Sequence, residues 1–312
     1  MQTMKAVRIE TFGGPEVIQI KQVPIPEAAS GELLIRVVAA GVNPVDYKIR
    51  EGKYPVVKAD KLPLTLGREV AGIVEHMGSS ALGMKEGDRV IAMIGADGGY
   101  AEFARVKAEY ACKVPEDIDL LTAATVPLAA HTAWQALFNH GHLKEGQQVL
   151  IHGGSGGVGH FAVQFAKVHG AKVFAIGSQK SLAFIQSLGA DRVIDHDAER
   201  FEEVCADLDL VIDLVGGETQ RRSWAVLREG GILVSTLEEP KQDTPQASGK
   251  SGVRFTTQPS GLQLAEIVAL ISAGKVKPAL YKTFPLDNAK QAQQFLEHEH
   301  VQGKIVLEVE TF

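Results

Sequence analysis

The sequence predicts an α/β protein in which an irregular β-rich region is followed by a doubly wound parallel sheet. Three observations carry that expectation. From Met4 to about Val114, short strand-like runs are broken by frequent Gly and Pro. From Gln148 to His169 (QVLIHGGSGGVGHFAVQFAKVH), an apolar strand, a glycine cluster and an amphipathic helix follow one another. Beyond that point strand-like and helix-like segments alternate, the order that a parallel sheet with crossover helices requires.

Composition bounds the class. A length of 312 residues allows one large or two ordinary domains, and 45% hydrophobic with 22% charged residues are the proportions of a soluble globular enzyme. The formal net charge of −6, with no basic block, argues against a nucleic-acid surface. The opening MQTMKAVRIE has neither an apolar core nor a cleavage signal, so nothing in it points to secretion. The most apolar long stretch, around Leu120 to Ala130, contains Pro127 and is too short to span a bilayer. Cys112 and Cys205 match neither a disulfide framework nor a metal-finger spacing. As two buried free thiols they suit a reducing cytoplasm, the expected location.

In the N-terminal region KAVRIE, VIQIKQV, LLIRVVAAG, EVAGIVEHMG and DRVIAMI all have strand character and are separated by turn residues. After Pro115 the passage IDLLTAATVPLAAHTAWQALF is alanine-rich and helical. Gln148 to His152 is then the apolar run of a buried parallel strand. Val158, Phe161, Ala162, Phe165 and Ala166 recur at i, i+3, i+4, i+7, i+8, one face of a helix. Between strand and helix, Gly154, Gly156 and Gly159 form G-x-G-x-x-G. Gly154 is expected to let the chain turn sharply off the strand, and Gly156 has no Cβ to hold a pyrophosphate away from the backbone. Gly159 lets the helix pack closely on the sheet. The helix N-terminus offers N–H groups and a positive dipole end to the phosphates, so a dinucleotide is the expected ligand.

The next strand, Lys172 to Ile176 (KVFAI), bears on which dinucleotide. An NAD site usually ends this strand with an Asp or Glu on the ribose 2′-hydroxyl. Here the chain reads Gly177-Ser178-Gln179-Lys180. The Ser178 hydroxyl and the Lys180 ammonium would bind a 2′-phosphate through charge-assisted bonds worth about 1.5–3 kcal/mol each. NADPH is therefore expected, the alternative for Lys180 being a solvated lysine at a helix start. RVID, ERFEEVCA, LDLVIDLV, TQRRSWAVL and GILVST continue the alternation. Glu238 to Gly252 (EEPKQDTPQASGKSG) is polar and aperiodic, and is predicted to be a mobile loop. GLQLAEIVALISAG follows as an amphipathic helix and GKIVLEVE as a closing strand.

Taken together, these residues resemble the zinc-independent quinone oxidoreductase branch of the medium-chain dehydrogenase/reductase superfamily, over essentially the whole chain. The resemblance is carried by GVNPVDYKIREG (Gly41 to Gly52), LGREVAGIV (Leu66 to Val74), AAHTAWQAL (Ala129 to Leu137), GGSGGVG, LGADRVID (Leu188 to Asp195), ISAGKVKP and GKIVL. It implies a GroES-like β-rich catalytic domain over 1–122, completed by 273–312, and a Rossmann NADPH-binding domain over 123–272. It also implies that no metal is held. Zinc-dependent relatives have a Cys near position 43, a His-Glu pair near 68 and a four-cysteine structural lobe. This chain has Asn43, Arg68-Glu69 and no lobe cysteines. A catalytic zinc needs at least three converging N, S or O ligands, and the nearby pair His140 and His142 has no Cys or second His pair to support it.

Without a Lewis acid, the expected acceptors are small molecules that take hydride readily, such as quinones and α,β-unsaturated carbonyls. NPVDYK resembles the alkenal and enone reductase subgroup, in which the position of Lys48 is typically lysine; hydride goes to the β-carbon and a proton follows to the enolate. The resemblance implies that Asn43, Asp46 and Lys48 line the nicotinamide end of the cleft. Lys48 would hold the cofactor ribose or the developing enolate oxygen as a preorganised cation. The alternative for Asp46 and Lys48 is a polar pair capping a short helix, and Tyr47, Tyr54 or water could supply the proton.

Cofactor contacts are implied in the same way. Thr132 would meet the nicotinamide side, and Ser155, Gly156, Gly157 and Val158 the pyrophosphate. His196, where the family often has a tyrosine, would lie near the adenosine phosphate. Leu214, Val215 and Gly216 would pass under the nicotinamide ribose, and Ser235 and Thr236 end the following strand. Lys304 resembles the family's C-terminal cofactor-contacting lysine. Family members are commonly dimers or tetramers through their Rossmann domains, so a homo-oligomer is expected. Two other functions remain compatible with these residues: a zinc-free alcohol or aldehyde oxidoreductase, and a non-catalytic NADPH-binding protein.

Overall fold

The computed structural model describes residues 2–95 and 98–309. They divide into two compact units, the first formed by Met1–Leu128, Pro259–Ser272 and Pro278–Phe312, the second by Ala129–Gln258 and Ala273–Lys277. The chain opens with β1 (Thr3–Ile9), β2 (Gln19–Pro24), β3 (Glu32–Val42), α1 (Pro44–Arg50), β4 (Leu64–Thr65), β5 (Glu69–Met77), β6 (Arg89–Met93), β7 (Phe103–Lys107), β8 (Ala111–Lys113) and α2 (Leu120–Ala123). There follow α3 (Pro127–Trp134), which runs into a π-helical turn at Gln135–His140, then β9 (Gln148–Ile151), α4 (Gly159–Val168), β10 (Lys172–Gly177) and α5 (Leu182–Ser187). Next come β11 (Arg192–Asp195), α6 (Phe201–Val204), β12 (Leu208–Asp213), α7 (Gly217–Ser223), β13 (Leu227–Ser235) and β14 (Ser251–Arg254). The chain ends with α8 (Gly261–Ser272), β15 (Leu280–Pro285), α9 (Ala289–His298) and β16 (Lys304–Glu308).

The first unit is built on a seven-stranded sheet in the order β15-β16-β3-β5-β6-β8, with β7 also paired to β3. β3 is its axis because nearly every residue of ELLIRVVAAGV is buried. Val7, Ile9, Leu33, Ile35, Val37, Val70, Val90, Ile305 and Leu307 form its core. The five strand-like runs expected here are all strands; β4, β7 and β8 are additional, short ones. β16 pairs antiparallel with β3 in a register that sets Ile305 against Val42, and so brings Lys304 to the start of α1. The predicted closing strand extended to Glu310, which lies outside the described residues.

The second unit holds a six-stranded parallel sheet in the order β11-β10-β9-β12-β13-β14. Strand order reverses on either side of β9, which places a crevice at the carboxyl ends of β9 and β12. α4 buries every residue from Gly159 to Ala166. This is the doubly wound α/β architecture expected, beside a GroES-like β-rich unit.

The boundaries differ from 122/123 and 272/273. α8, assigned to the Rossmann domain from its place in the chain, belongs to the first unit and packs on β8 and the turn at Ala108–Tyr110. The approach is close enough that a Cβ on Gly261 would lie 2.5 Å from the Ala111 carbonyl. Amphipathic pattern identifies the apolar face of a helix without naming the surface that covers it. The polar stretch 238–252 is also more structured than its composition suggests. It wraps Trp224, whose Nε1 donates to Lys241 O at 3.1 Å while Lys250 Nζ donates to Trp224 O at 2.5 Å, and it ends inside β14. Among the described residues, no helix is long and apolar enough to cross a membrane.

Candidate functional site

In the second unit the segment between β9 and α4 is a tight turn whose positive φ falls on Gly153, at +66°. That corrects the role given to Gly154. Gly154 lies flat against β10, donating to Ile176 O at 2.8 Å, with an added Cβ only 3.1 Å from that of Ala175. At Gly159 a Cβ would overlap Gly153 O and stand 2.8 Å from Gly154 Cα, so helix and turn touch backbone to backbone. At Gly156 the nearest atom to an added Cβ is Gly153 O at 3.5 Å, leaving room above the turn for a ligand. Val158 leads into α4 without a side-chain cap, and the helix has no acid in its first turn. A ten-residue helix thus presents backbone N–H groups and its positive end above the open glycine. His160 Nδ1 lies 3.0 Å from Gly156 O and braces the turn from behind.

The carboxyl ends of the neighbouring strands supply the rest of this rim. Ser178 and Lys180 follow β10, with Lys180 exposed and Ser181 Oγ donating to Ser178 O at 2.9 Å. His196 N donates to Gly177 O at 3.1 Å, which sets His196 across the same edge, where its Nδ1 is 3.0 Å from Asp197 Oδ1. Asp195, His196 and Asp197 carry ligand atoms within 4.8 Å of one another. The chain after β10 has no acid, yet the next strand brings two to its side.

β12 ends at Asp213, a buried carboxylate that sequence reasoning passed over. Its Oδ1 accepts from Val215 N at 3.0 Å and Gly216 N at 2.8 Å, and its Oδ2 accepts from Gln220 Nε2 at 3.0 Å and Ser235 Oγ at 2.8 Å. Asp213 shapes the Leu214–Gly216 turn and turns the Ser235 hydroxyl inward, so that Ser235 supports the rim from within while the half-buried Thr236 follows it. The only sign in the sequence was an acid ending a strand. Nearby, His152 is buried with Nε2 2.8 Å from Ser223 Oγ. Since that hydroxyl donates to Thr219 O at 2.7 Å, His152 Nε2 is the donor in the first bond. Burial pushes the imidazole down to about 4, and it is neutral at physiological pH. Thr132, also buried, lies 2.7 Å from Thr257 in an Oγ1–Oγ1 hydrogen bond, and Gln135 Nε2 donates to Gln258 O at 2.7 Å. The segment after β14 is thereby held to α3, a pairing the sequence did not signal.

In the first unit two of the residues expected at the reacting centre, Asn43 and Asp46, belong to a buried polar cluster with Glu69 and Lys304. Asn43 precedes Pro44 at the start of α1, and its N donates to Asp46 Oδ2 at 2.8 Å, so Asp46 folds back over the helix start. The same Oδ2 accepts from Tyr100 OH at 2.8 Å, and Asp46 is wholly inaccessible to solvent. Burial, partly offset by those bonds, raises its carboxyl to about 6. Asn43 Nδ2 donates to Glu69 Oε1 at 2.7 Å, and Glu69 Oε2 accepts from Leu128 N at 2.6 Å. Lys304 Nζ donates to Val42 O at 3.0 Å, to Glu69 Oε1 at 2.8 Å and to Asn43 Oδ1. At the far end of α1, the buried Arg50 guanidinium donates to Gln293 Oε1 at 2.9 Å and pairs with Glu297 at 2.8 Å, anchoring α1 to α9.

The three residues expected to face the substrate therefore separate. Asn43 and Asp46 are interior groups of the first unit, and Asp46 has the capping role weighed as its alternative. Lys48, half-buried on α1, has no side-chain hydrogen bond or ion pair among the described residues. Tyr47 is half-buried, its hydroxyl raised by burial and by the Glu297 carboxylate, while Tyr54 lies 5.9 Å beneath the Arg68 guanidinium.

Two family models match the chain, one described as an alcohol dehydrogenase GroES-like domain over residues 29–116 and one as a zinc-binding dehydrogenase over residues 188–307. The quinone oxidoreductase of Pongo abelii is 32% identical over 324 residues, covering 97% of both chains. The chloroplastic NADPH-dependent alkenal/one oxidoreductase of Arabidopsis thaliana is 34% identical over 317 residues, which is 97% of this chain and 79% of that one. Among solved structures, a mycobacterial protein complexed with NADPH superposes with a TM-score of 0.89 at 30% identity, covering 98% of this chain and 100% of that one.

Proposed function

This chain belongs to the quinone oxidoreductase family of the medium-chain dehydrogenases/reductases, and we propose that it is an enzyme that uses NADPH to reduce quinones or α,β-unsaturated carbonyls. The observation that carries the reading is the cradle over Gly156, an uncapped helix end above a glycine with open space, set at the switch point of the parallel sheet. It suits a pyrophosphate. Ser178 and Lys180 suit a 2′-phosphate, and relatives of this chain carry NADPH in their names or their solved structures. When bound, the cofactor supplies a hydride and needs no further redox group.

The residues do what remains. The N–H groups of Ser155, Gly157 and Val158 would hold the pyrophosphate, and Asp213 fixes the Leu214–Gly216 turn that would pass under the ribose. Lys48 would offer its ammonium to the substrate oxygen that becomes an enolate. Water, Tyr47 or Tyr54 would return the proton. The description of the second matching family implies zinc, but the donors do not fit it. At Asn43 and Glu69 the available ligands are oxygens already satisfied by Lys304, Asn43 and Leu128, and among the described residues no group of three His, Cys, Asp or Glu ligands converges there. No step is assigned to a metal.

A panel of alkenals, quinones and simple alcohols incubated with NADPH tests the proposal. Oxidation of NADPH by alkenals or quinones is expected. Turnover confined to alcohols and aldehydes would reject it, and saturable NADPH binding without oxidation across the panel would make the protein a binding protein.

A further inference from the structure

Lys304 stands in the first unit in a way the cofactor-contact expectation does not explain. An ammonium has three N–H donors. Those of Lys304 are directed at Val42 O, Asn43 Oδ1 and Glu69 Oε1, leaving none for a phosphate, and the residue is 4% exposed. The acceptors are all oxygens, drawn from the end of β3, the start of α1 and the start of β5. Glu69 has no exposure at all, and its second oxygen is taken by Leu128 N. Gly41 leaves the space for it, since a Cβ there would overlap the carboxylate. A buried carboxylate needs either several hydrogen-bond donors or a positive partner, and for Glu69, in a chain matched by a family described as zinc-binding, a metal would be the obvious cation.

We propose that the Lys304 ammonium is the resident cation of this position: it neutralises Glu69, holds Asn43 at the start of α1 and closes the position to divalent metals. Lys304 and Glu69 are then positioning residues. Through Asn43 they set the first turn of α1, two turns of helix that carry Lys48. The inference stands apart from hydride transfer, because its readouts are melting temperature and bound metal. An enzyme that failed every substrate would leave it intact.

The test uses four variants of the full chain. Lys304→Met removes the charge at similar volume and leaves Glu69 as an unpaired buried anion, so its melting temperature is expected to fall by about 10 °C. Lys304→Met combined with Glu69→Gln removes both charges. Asn43 can then turn its amide, accepting from the introduced glutamine amide and donating to Val42 O, and more than half of the lost melting temperature should return. Lys304→Arg keeps the charge and should melt close to the unsubstituted protein. If Lys304→Met yields no folded protein, recovery of folded protein in the double variant supports the proposal equally. A double variant that melts no higher than the single one, or that fails to fold, would overturn the proposal. So would zinc bound in stoichiometric amount by the unsubstituted protein after incubation with excess zinc chloride and gel filtration, and lost on Glu69→Gln.

Discussion

The two units solve the same problem, holding polar groups where chemistry needs them, by opposite means. The second uses backbone. Its ligand cradle is made of glycine N–H groups and a helix end, and its one deep carboxylate, Asp213, is surrounded by neutral donors. The first uses buried ions. Glu69, Lys304, Asp46 and Arg50 lie inside it, tied to one another or to polar groups of the helices and loops around them. Backbone cradles fail by steric intrusion, and ionic clusters fail when one charge is removed or titrated. Each unit should therefore be fragile to a different kind of change.

The largest effect should come from intrusion at the glycine turn. Gly159→Ala places a Cβ onto the Gly153 carbonyl, with backbone on both sides and no side chain able to yield. A cost above about 3 kcal/mol is expected, at or beyond the upper end for overpacked sites. Gly156→Ala meets only ordinary contact at 3.5 Å. It should melt like the unsubstituted protein yet lose the thermal shift that saturating NADPH produces, because the methyl occupies the ligand's space. Differential scanning fluorimetry with and without NADPH separates the two. Equal melting losses for both variants would mean that Gly156 is structural too.

Titration should divide the units next. Asp46 has a carboxyl raised from 3.8 to about 6 by burial. Between those values the unfolded chain releases the proton while the folded chain keeps it, so stability is full below pH 4 and declines as the pH rises to 6. The loss is about 3 kcal/mol at roughly 1.4 kcal/mol per unit. Asp46→Asn retains the acceptor for Asn43 N and Tyr100 OH, and its amide nitrogen takes the place of Oδ1, which has no partner now. The variant should match the unsubstituted protein near pH 4 and exceed it above pH 6.5. His152 runs the other way. Lowered from 6.5 to about 4, it makes stability fall as the pH drops through that window, because the unfolded chain takes up the proton first. Hydrogen-exchange protection factors, which divide out the intrinsic pH dependence of exchange, should therefore rise in β3 and β16 on acidification from pH 6.5 to 4.5, while those in β9 and β12 fall. The same trend in both would break the contrast.

The difference between the units also explains what could be read from the chain. G-x-G-x-x-G is legible because its function is local, made by residues a few positions apart whose meaning is backbone geometry. Even there, the positive φ sits on Gly153, because the register of a turn is decided by the strand it leaves. The ionic cluster was only half legible. Asn43 and Lys304, which share a hydrogen bond, stand 261 residues apart, and the pairing exists only once β16 lies against β3. The resemblance of NPVDYK sets Asp46 at the nicotinamide end of the cleft, but a local pattern does not show its carboxylate folded back over the helix start. α9 was passed over although Ala289, Ala292, Phe295 and Leu296 form its inner face, because alanines and an interleaved buried Gln293 dilute that stripe in the linear sequence.

The smallest effect tests cofactor choice, where backbone and ions meet. Lys180 follows β10 on the edge to which β11 brings Asp195, His196 and Asp197. Two carboxylates there weigh against a 2′-phosphate, and Lys180 is the cation that the chain sets beside Ser178 to offset them. Lys180→Ala should raise the Michaelis constant for NADPH roughly 10–100-fold, the loss of one charge-assisted bond, and leave that for NADH nearly unchanged. Asp197→Asn should act in the opposite sense, favouring NADPH by removing a like charge. Because Asp197 also accepts from His196, its amide variant keeps that contact and isolates the electrostatic part. If Lys180→Ala weakens both cofactors alike, the lysine holds the turn and the discrimination between them lies elsewhere on the rim. If Asp197→Asn leaves NADPH unaffected while Lys180→Ala does not, the phosphate contacts the lysine out of reach of the β11 carboxylates.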